Sequence, residues 1–321
     1  MPQPREIAVI QPIRIAVVGL GKIAQDKHLP AIEGDPRFVL AAVASPHGQH
    51  EVAPSFDSLE ALLASGLAFD AVALCTPPQV RQALARTAIE AGKAVMLEKP
   101  PGATLSEVES LRVLAEARGV TLYAAWHSRF APGVAPAQAW LRDRVVRAVT
   151  IAWKEDVRIW HPGQAWIWRA GGLGVFDPGI NALSIATAIL PRPFALVEAT
   201  LHVPENLQAP CQAELRFRDT AGALIQADFD FLQTGPQSWD ITVETDAGPL
   251  RMAEGGAALW IDGAPIDLPP QIEPQTEYAG VYDAFAGLIA AGQSEVDLAP
   301  MRHVADAFML GERVLAPAFV E

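Results

Sequence analysis

Cysteine is scarce in this chain of 321 residues: Cys75 and Cys211 are its two examples. They lie too far apart in sequence to suggest a disulfide framework, and no zinc-type spacing accompanies them. A reducing, cytoplasmic setting fits that usage. Long hydrophobic runs are also missing. No segment approaches the roughly 18 apolar residues of a membrane span, and the best candidate, Ala279 to Ala291, is interrupted by Asp283 and reads as an amphipathic helix. Positive charge is thin, with a formal net charge of −13 and no basic run. Nucleic acid is thereby excluded as a partner, because gripping phosphate backbones needs a concentrated basic surface. Met1 to Ile10, with Pro2, Pro4 and Glu6, lacks the apolar core and cleavage site of a signal peptide and reads as a loose extension.

What the chain does contain is core-forming residues. Half are hydrophobic and 19% are charged, a balance that argues against disorder, and the length allows two domains. Residues 1–126 alternate strand and helix. Ile13 to Val18, Phe38 to Ala44, Ala71 to Leu74, Ala94 to Leu97 and Val120 to Ala124 read as strands. Helices are expected over Lys22 to Glu33, Ser58 to Leu63, Gln79 to Ala91 and from Thr104, whose Glu107 completes a capping box. That rhythm predicts a Rossmann-type, doubly wound parallel sheet with right-handed crossovers. After one helix at Ala135 to Arg142 the pattern changes to successive strands: Ala148 to Trp153, Ala195 to Val203, Gln212 to Arg218, Ala223 to Phe231, Asp240 to Thr245, Leu250 to Ala253 and Ala258 to Ile261. Two helices close the chain, near Glu277 to Ala291 and Met301 to Val314. Residues 127–321 are therefore expected to form an α+β domain with a large, mostly antiparallel open sheet.

Chemistry concentrates at the ends of the predicted parallel strands. Gly19-Leu20-Gly21-Lys22-Ile23-Ala24 follows a strand and opens a helix, the setting in which a dinucleotide pyrophosphate rests on backbone N–H groups. Ser45 and His47 end the second strand with neither an acid nor an arginine, which leans towards NADP with NAD tolerated. Thr76 and Pro77 end the third, as a wall beside the cofactor or as a plain proline turn. Glu98-Lys99-Pro100 ends the fourth and puts an ammonium where the reactive ring should lie. Such a charge must find an anion, shift its pKa or stay solvated. His127 follows the fifth strand and is a candidate substrate contact, whereas His28, inside the first helix, reads as packing.

The second half carries its own cluster. Four of the eight tryptophans, Trp153, Trp160, Trp166 and Trp168, fall close together with Glu155 and His161 among them. Aromatic faces beside directed polar groups suit a sugar, although tryptophans also pack interfaces. Asp177-Pro178 ahead of an apolar helix is an N-cap and N1 signature, and a cap alone would account for it. Asn181 follows four residues on, so the two side chains can share one side of the first turn. Both readings stand on the residues alone.

The glycine turn, the Glu98-Lys99-Pro100 strand end and the Asp177-x-x-x-Asn181 helix start occur in the order that marks the Gfo/Idh/MocA oxidoreductases, and the resemblance covers almost the whole chain. Lys154-Glu155-Asp156-Val157-Arg158, Trp160-His161-Pro162-Gly163-Gln164 and Gly174 to Asn181 are similar to the bacterial aldose 1-dehydrogenases that act on L-arabinose and D-galactose. The resemblance implies oxidation of a cyclic sugar at C1 to the aldonolactone with NAD(P)⁺, without a metal. It implies Lys99, Asp177 and Asn181 as the catalytic group, with Asp177 as base and Lys99 polarising the oxygen. Asn181 stands where many members have histidine. Glu155, Trp160, His161 and Trp239 become hydroxyl or stacking contacts. Pro46 follows Ser45 where the arabinose enzymes tend to have arginine, so strict NADP preference is not implied. L-arabinose, D-galactose and D-fucose share their configuration at C2, C3 and C4, and an apolar wall separates their remaining groups by only ~1–3 kcal/mol. Acceptance of all three is expected. A ring-hydroxyl dehydrogenase of the inositol type and a non-catalytic dinucleotide sensor are the alternatives. A homodimer or homotetramer formed through the open sheet is expected.

Overall fold

A computed structural model describes residues 11–270 and 276–320; the Met1 to Ile10 extension lies outside them. Six strands form an all-parallel sheet: β1 (Ile13–Val18), β2 (Phe38–Ala44), β3 (Ser55–Phe56), β4 (Ala71–Leu74), β5 (Ala94–Glu98) and β6 (Leu122–Ala125), in the order β3-β2-β1-β4-β5-β6. Their near-continuous Val, Ile, Leu and Ala runs are buried on both faces, as sheets covered by crossover helices require. The order reverses between β1 and β4, so a crevice opens at their carboxyl ends, where ligands of such sheets bind. The two-residue β3 was not foreseen, being too short to show a pattern.

The second sheet has nine strands: β7 (Val146–Lys154), β8 (Phe194–Pro204), β9 (Gln212–Asp219), β10 (Leu224–Asp230), β11 (Ser238–Thr245), β12 (Gly248–Ala253), β13 (Ala258–Ile261), β14 (Ala264–Pro265) and β15 (Glu312–Ala316). The pairings are antiparallel except β10 with β7 and β15 with β8, so the sheet is mixed but mostly antiparallel. Burial alternates strictly along β9 and β10, with Ala213, Leu215, Phe217, Ile225, Ala227 and Phe229 inside and Glu214, Arg216, Gln226 and Asp228 outside. The inner face packs under the helices Phe176–Ile189 and Ala299–Leu310.

Two expectations need correction. The last helix ends at Leu310 instead of reaching Val314, because Gly311 is extended (φ −70°, ψ 132°) and the chain continues as β15 beside β8. A side chain at 311 would meet the Ala307 carbonyl and Leu201, so glycine lets the chain turn there. The helix Thr276–Ala291, despite its late position, packs on the parallel sheet. Tyr278, Val281, Tyr282 and Phe285 share one core with Ile15, Val17, Met96 and Tyr123. Just beyond it, Ser294 Oγ accepts the Leu122 N–H and the Glu295 carbonyl accepts the Ala124 N–H, extending the sheet past β6.

Candidate active site

The glycine turn forms as the sequence suggests. Gly19 sits at φ +90°, and a Cβ there would strike Thr76 Cγ2 at 2.9 Å and the neighbouring backbone, so this position needs glycine on two counts. A Cβ on Gly21 would meet nothing within 4 Å, which leaves the turn's outer side open to a ligand. Lys22 and Ile23 are exposed on the lip, with Lys22 paired to Asp26. The helix opens with a π-turn, Ala24–His28, that swings His28 inwards beneath β5. Thr76 Oγ1, at the end of β4, is buried and has no hydrogen-bond partner among the described residues. An open glycine turn at a helix start and a hydroxyl lacking its partner both fit a dinucleotide phosphate or ribose. Ser45 is buried and its Oγ accepts the His47 N–H at 3.4 Å, while His47 itself is exposed and Pro77 forms part of the exposed rim.

The end of β5 is held from several sides. Pro100, lacking an N–H, closes the strand. Buried Arg81, from the helix Pro78–Glu90, donates to the carbonyls of Glu98, Pro100 and Thr76 and so ties the β4 and β5 ends together. Burial pulls this guanidinium down to about 10, against the charge of Glu98. The Glu98 carboxylate is buried as well. It accepts the Lys99 N–H at 2.7 Å and the Tyr278 hydroxyl, and His28 Nε2 stands 3.2 Å away. Burial alone would push this carboxyl up, but the hydrogen bond and charge of His28, with His127 and Tyr278 adding, hold it at about 2. His28 is thus more than the packing residue its helix position suggests. Tyr282 closes the cluster, 2.9 Å from His28 Nδ1.

Lys99 points the other way, across to the second sheet's domain. Its Nζ donates to the Asp177 carbonyl at 3.0 Å and to Asp177 Oδ1 at 3.2 Å. The helix bearing Asp177 runs Phe176–Ile189 with Val175 before it, so Asp177 lies inside the first turn and makes no cap bond. The capping account of this residue therefore fails; its carboxylate is spent on Lys99. Gly179, whose Cβ would fall 2.6 Å from the Phe229 ring, lets that helix sit directly on β10. Asn181 is half-buried one turn further on, and its side chain makes no hydrogen bond to the described residues.

His161 extends the cluster. Its Nδ1 lies 3.7 Å from Asp177 Oδ2 and its Nε2 lies 3.5 Å from Glu155 Oε1. Trp239 Nε1 donates to Glu155 Oε2 at 2.8 Å, and Trp160 meets Trp239 edge-on at 5.6 Å. Asp156 shapes this corner by capping the one-turn helix Val157–Trp160. Its carboxylate accepts the Arg158 N–H at 3.0 Å and the guanidinium at 2.8 Å, turning Trp160 and His161 towards the site. Lys99, Asp177, His161, Glu155, Trp239 and Trp160 therefore form one continuous chain of contacts. Trp168 belongs to packing instead, between Phe231 and Phe319. His127 is held apart from that chain: it pairs with Glu277 and stacks on Tyr278 at 5.3 Å. Sequence reasoning missed Arg81, Gln237 (which accepts from Trp160 Nε1 at 2.5 Å), Glu277, Tyr278 and Tyr282. The one available signal was that two of the three tyrosines stand four residues apart on one helix.

A family model described as an oxidoreductase family with an NAD-binding Rossmann fold, Gfo/Idh/MocA, matches residues 13–125. A galactose 1-dehydrogenase of Pseudomonas fluorescens is 45% identical over 97% of this chain and 100% of its own length. The chain belongs to the Gfo/Idh/MocA oxidoreductases. Within that family, the crystal structure of a D-galactose-1-dehydrogenase protein from Rhizobium etli matches at 54% identity with a TM-score of 0.91, covering 97% of this chain and 98% of that one. A variant of a 3-ketoreductase from Actinomadura kijaniata, crystallised with TDP-benzene and NADP, shares the fold at 19% identity and a TM-score of 0.82, over 96% of this chain and 100% of its own. Among the described residues no helix is long and apolar enough to cross a membrane.

Proposed function

We propose that this chain is an NAD(P)-dependent aldose 1-dehydrogenase that oxidises C1 of a cyclic sugar with the D-galactose, L-arabinose or D-fucose configuration to the aldonolactone. The observation that carries the reading is the contact between Lys99 and Asp177, residues from two different parts of the chain, beside the carboxyl ends of β4 and β5. Kinship of 54% and 45% to galactose 1-dehydrogenases supports the substrate class.

When bound, the nicotinamide supplies the acceptor for the C1 hydride. Everything else falls to side chains. Asp177 Oδ2 has no hydrogen bond among the described residues and is free to receive the C1-hydroxyl proton, while Oδ1 is anchored by Lys99. The Lys99 ammonium, half-buried at the crevice, polarises the C1 oxygen as negative charge develops there. Asn181 orients a neighbouring hydroxyl through its amide. Glu155, His161 and Trp239 take the hydroxyls of the distal ring face, and Trp160 offers an aromatic surface for its C–H groups. His127 is the weaker substrate assignment, because Glu277 already engages its ring. Gly19, Gly21, Lys22, Ile23, Ala24, Thr76 and Pro77 line the cofactor's path, Glu98 supports it from beneath as a buried, already engaged carboxylate, and Ser45 with His47 receives the adenosine end. No acid stands at the end of β2 to repel a 2′-phosphate, which supports NADP with NAD also accepted.

The outer face of the nine-stranded sheet is where a second copy would dock. Thr150, Glu198, Thr200, Glu214, Arg216, Gln226 and Asp228 line a shallow depression on it. Acids and a base alternating on one flat face allow self-complementary pairing about a two-fold axis, giving a dimer or a pair of dimers. Sedimentation of the purified chain tests this, and a monomer at micromolar concentration would exclude it. For the activity, the protein is incubated with a panel of aldoses and NADP⁺ or NAD⁺, following reduced cofactor by absorbance and product by NMR. Lactone from D-galactose, L-arabinose and D-fucose is expected. A ring ketone as product, or no reduced cofactor with any aldose, would overturn the proposal.

A further inference from the structure

We propose that His161 is the proton exit of this site, taking from Asp177 the proton gained from substrate and passing it to Glu155 and bulk water. The inference rests on Asp177 being the base. Each turnover leaves one proton on a carboxyl whose side chain is only 4% exposed, and that proton must leave before the next sugar reacts. Two titratable groups face it. Lys99, from the end of β5, approaches Oδ1 and already donates twice to Asp177; as an ammonium it has no lone pair with which to accept. His161 approaches the other oxygen. Its ring is the most exposed titratable group of the cluster, at 21% against 14% for Lys99, 8% for Glu155 and 4% for Asp177.

The two nitrogens of His161 face two different carboxylates, Nδ1 towards Asp177 and Nε2 towards Glu155. An imidazole so placed can gain a proton on one nitrogen while losing one from the other. The gaps of 3.7 and 3.5 Å exceed a hydrogen bond by less than an ångström, the kind of distance that tightens when substrate binds. Glu155 stays in place because Trp239 holds its other oxygen, and the Phe231 ring edge backs the imidazole at 5.4 Å. The amide of Asn181, on the same helix as Asp177, cannot accept a proton at all. The step balances. The C1–H electron pair leaves with the hydride, the hydroxyl proton goes to Asp177 Oδ2, and C1 becomes the lactone carbonyl. That proton then moves to His161 Nδ1 as the Nε2 proton passes to Glu155 or water.

The test uses the full-length protein carrying His161→Ala or His161→Gln, with Asp177→Asn alongside. Both His161 variants should fold with near-normal Tm. They should lose about 10- to 100-fold in kcat, beyond the few-fold rise in KM for sugar that a lost hydroxyl contact brings, the pattern of a lost proton-transfer step. Added imidazole should restore part of the Ala variant's turnover and none of the Gln variant's. A KM increase with kcat unchanged would overturn the relay and leave a hydroxyl contact. A kcat loss that imidazole does not relieve would overturn it too, since a purely structural role predicts that result. Near-normal turnover of Asp177→Asn would instead sink the base assignment beneath it, so the two failures are told apart.

Discussion

The fold treats the two buried carboxylates of this site, Glu98 and Asp177, in opposite ways. Glu98 is sealed: a backbone N–H, a phenol and an imidazole face its oxygens, and the carboxyl stays ionised far below neutrality. Asp177 is bonded at Oδ1 alone, and the imidazole facing Oδ2 stands back at 3.7 Å. A carboxylate buried under three donors is held in place and shut off from a substrate, so it fixes what surrounds it. An under-bonded one beside a cation has capacity to spare for a hydroxyl. On the proposed mechanism, adjacent residues in sequence, Glu98 and Lys99, are divided between scaffold and chemistry.

The sharpest way to break this contrast is to neutralise each acid in turn. Asp177→Asn, and separately Lys99→Ala, should fold, still bind cofactor by fluorescence titration and lose about 10³-fold or more in kcat. Near-normal turnover in both would dissolve the assignment. Glu98→Gln should instead act on stability. Removing the charge leaves His28 buried beside a neutral amide, at a cost of roughly 3–5 kcal/mol seen as a lower midpoint of urea unfolding. The same comparison has a pH form. Glu98 is held at about 2 in the folded chain against its ordinary 4.5, so its contribution is fully present above pH 4.5. It drains away as pH falls towards 2. Thermal melts across that window should therefore slope less in Glu98→Gln than in the parent. A smaller effect is expected of Tyr278→Phe, which keeps the ring on His127 and removes one hydroxyl. It should cost about 1–3 kcal/mol as a charged hydrogen-bond acceptor loses its donor, together with a modest drop in kcat as Lys99 loses definition. Trp239→Phe should do least, raising KM for sugar a few-fold through a loosened Glu155. Unchanged KM with a collapsed kcat would move Trp239 from the binding side to the catalytic side.

Much of this was readable in the chain itself, because the parallel sheet is built from local signals. The apolar runs of β1, β4 and β5, the glycine turn, the Thr104 capping box and the Glu98-Lys99-Pro100 strand end each declare themselves within a few residues. What stayed open or was misread shares one cause. Asp177 left a cap and a chemical role both standing because Asp-Pro favours helix starts; the helix begins at Phe176 and its carboxylate meets Lys99, a residue far away in sequence. Val314 looked helical because its apolar neighbours fit either period, and pairing with β8 decided for strand. Tyr278, Tyr282 and Arg81 carry no motif; only tertiary packing brings them to the end of β5.

The helix Thr276–Ala291 and the Glu295 bridge beside β6 carry a practical lesson for anyone recombining these proteins. Cutting after residue 126 to transplant the nucleotide half onto a different sugar-reading half would strip Tyr123 and Met96 of their apolar cover and expose the flank of β6. A workable chimera would have to carry residues 276–295 along as a third piece, returned to the recipient through a second junction.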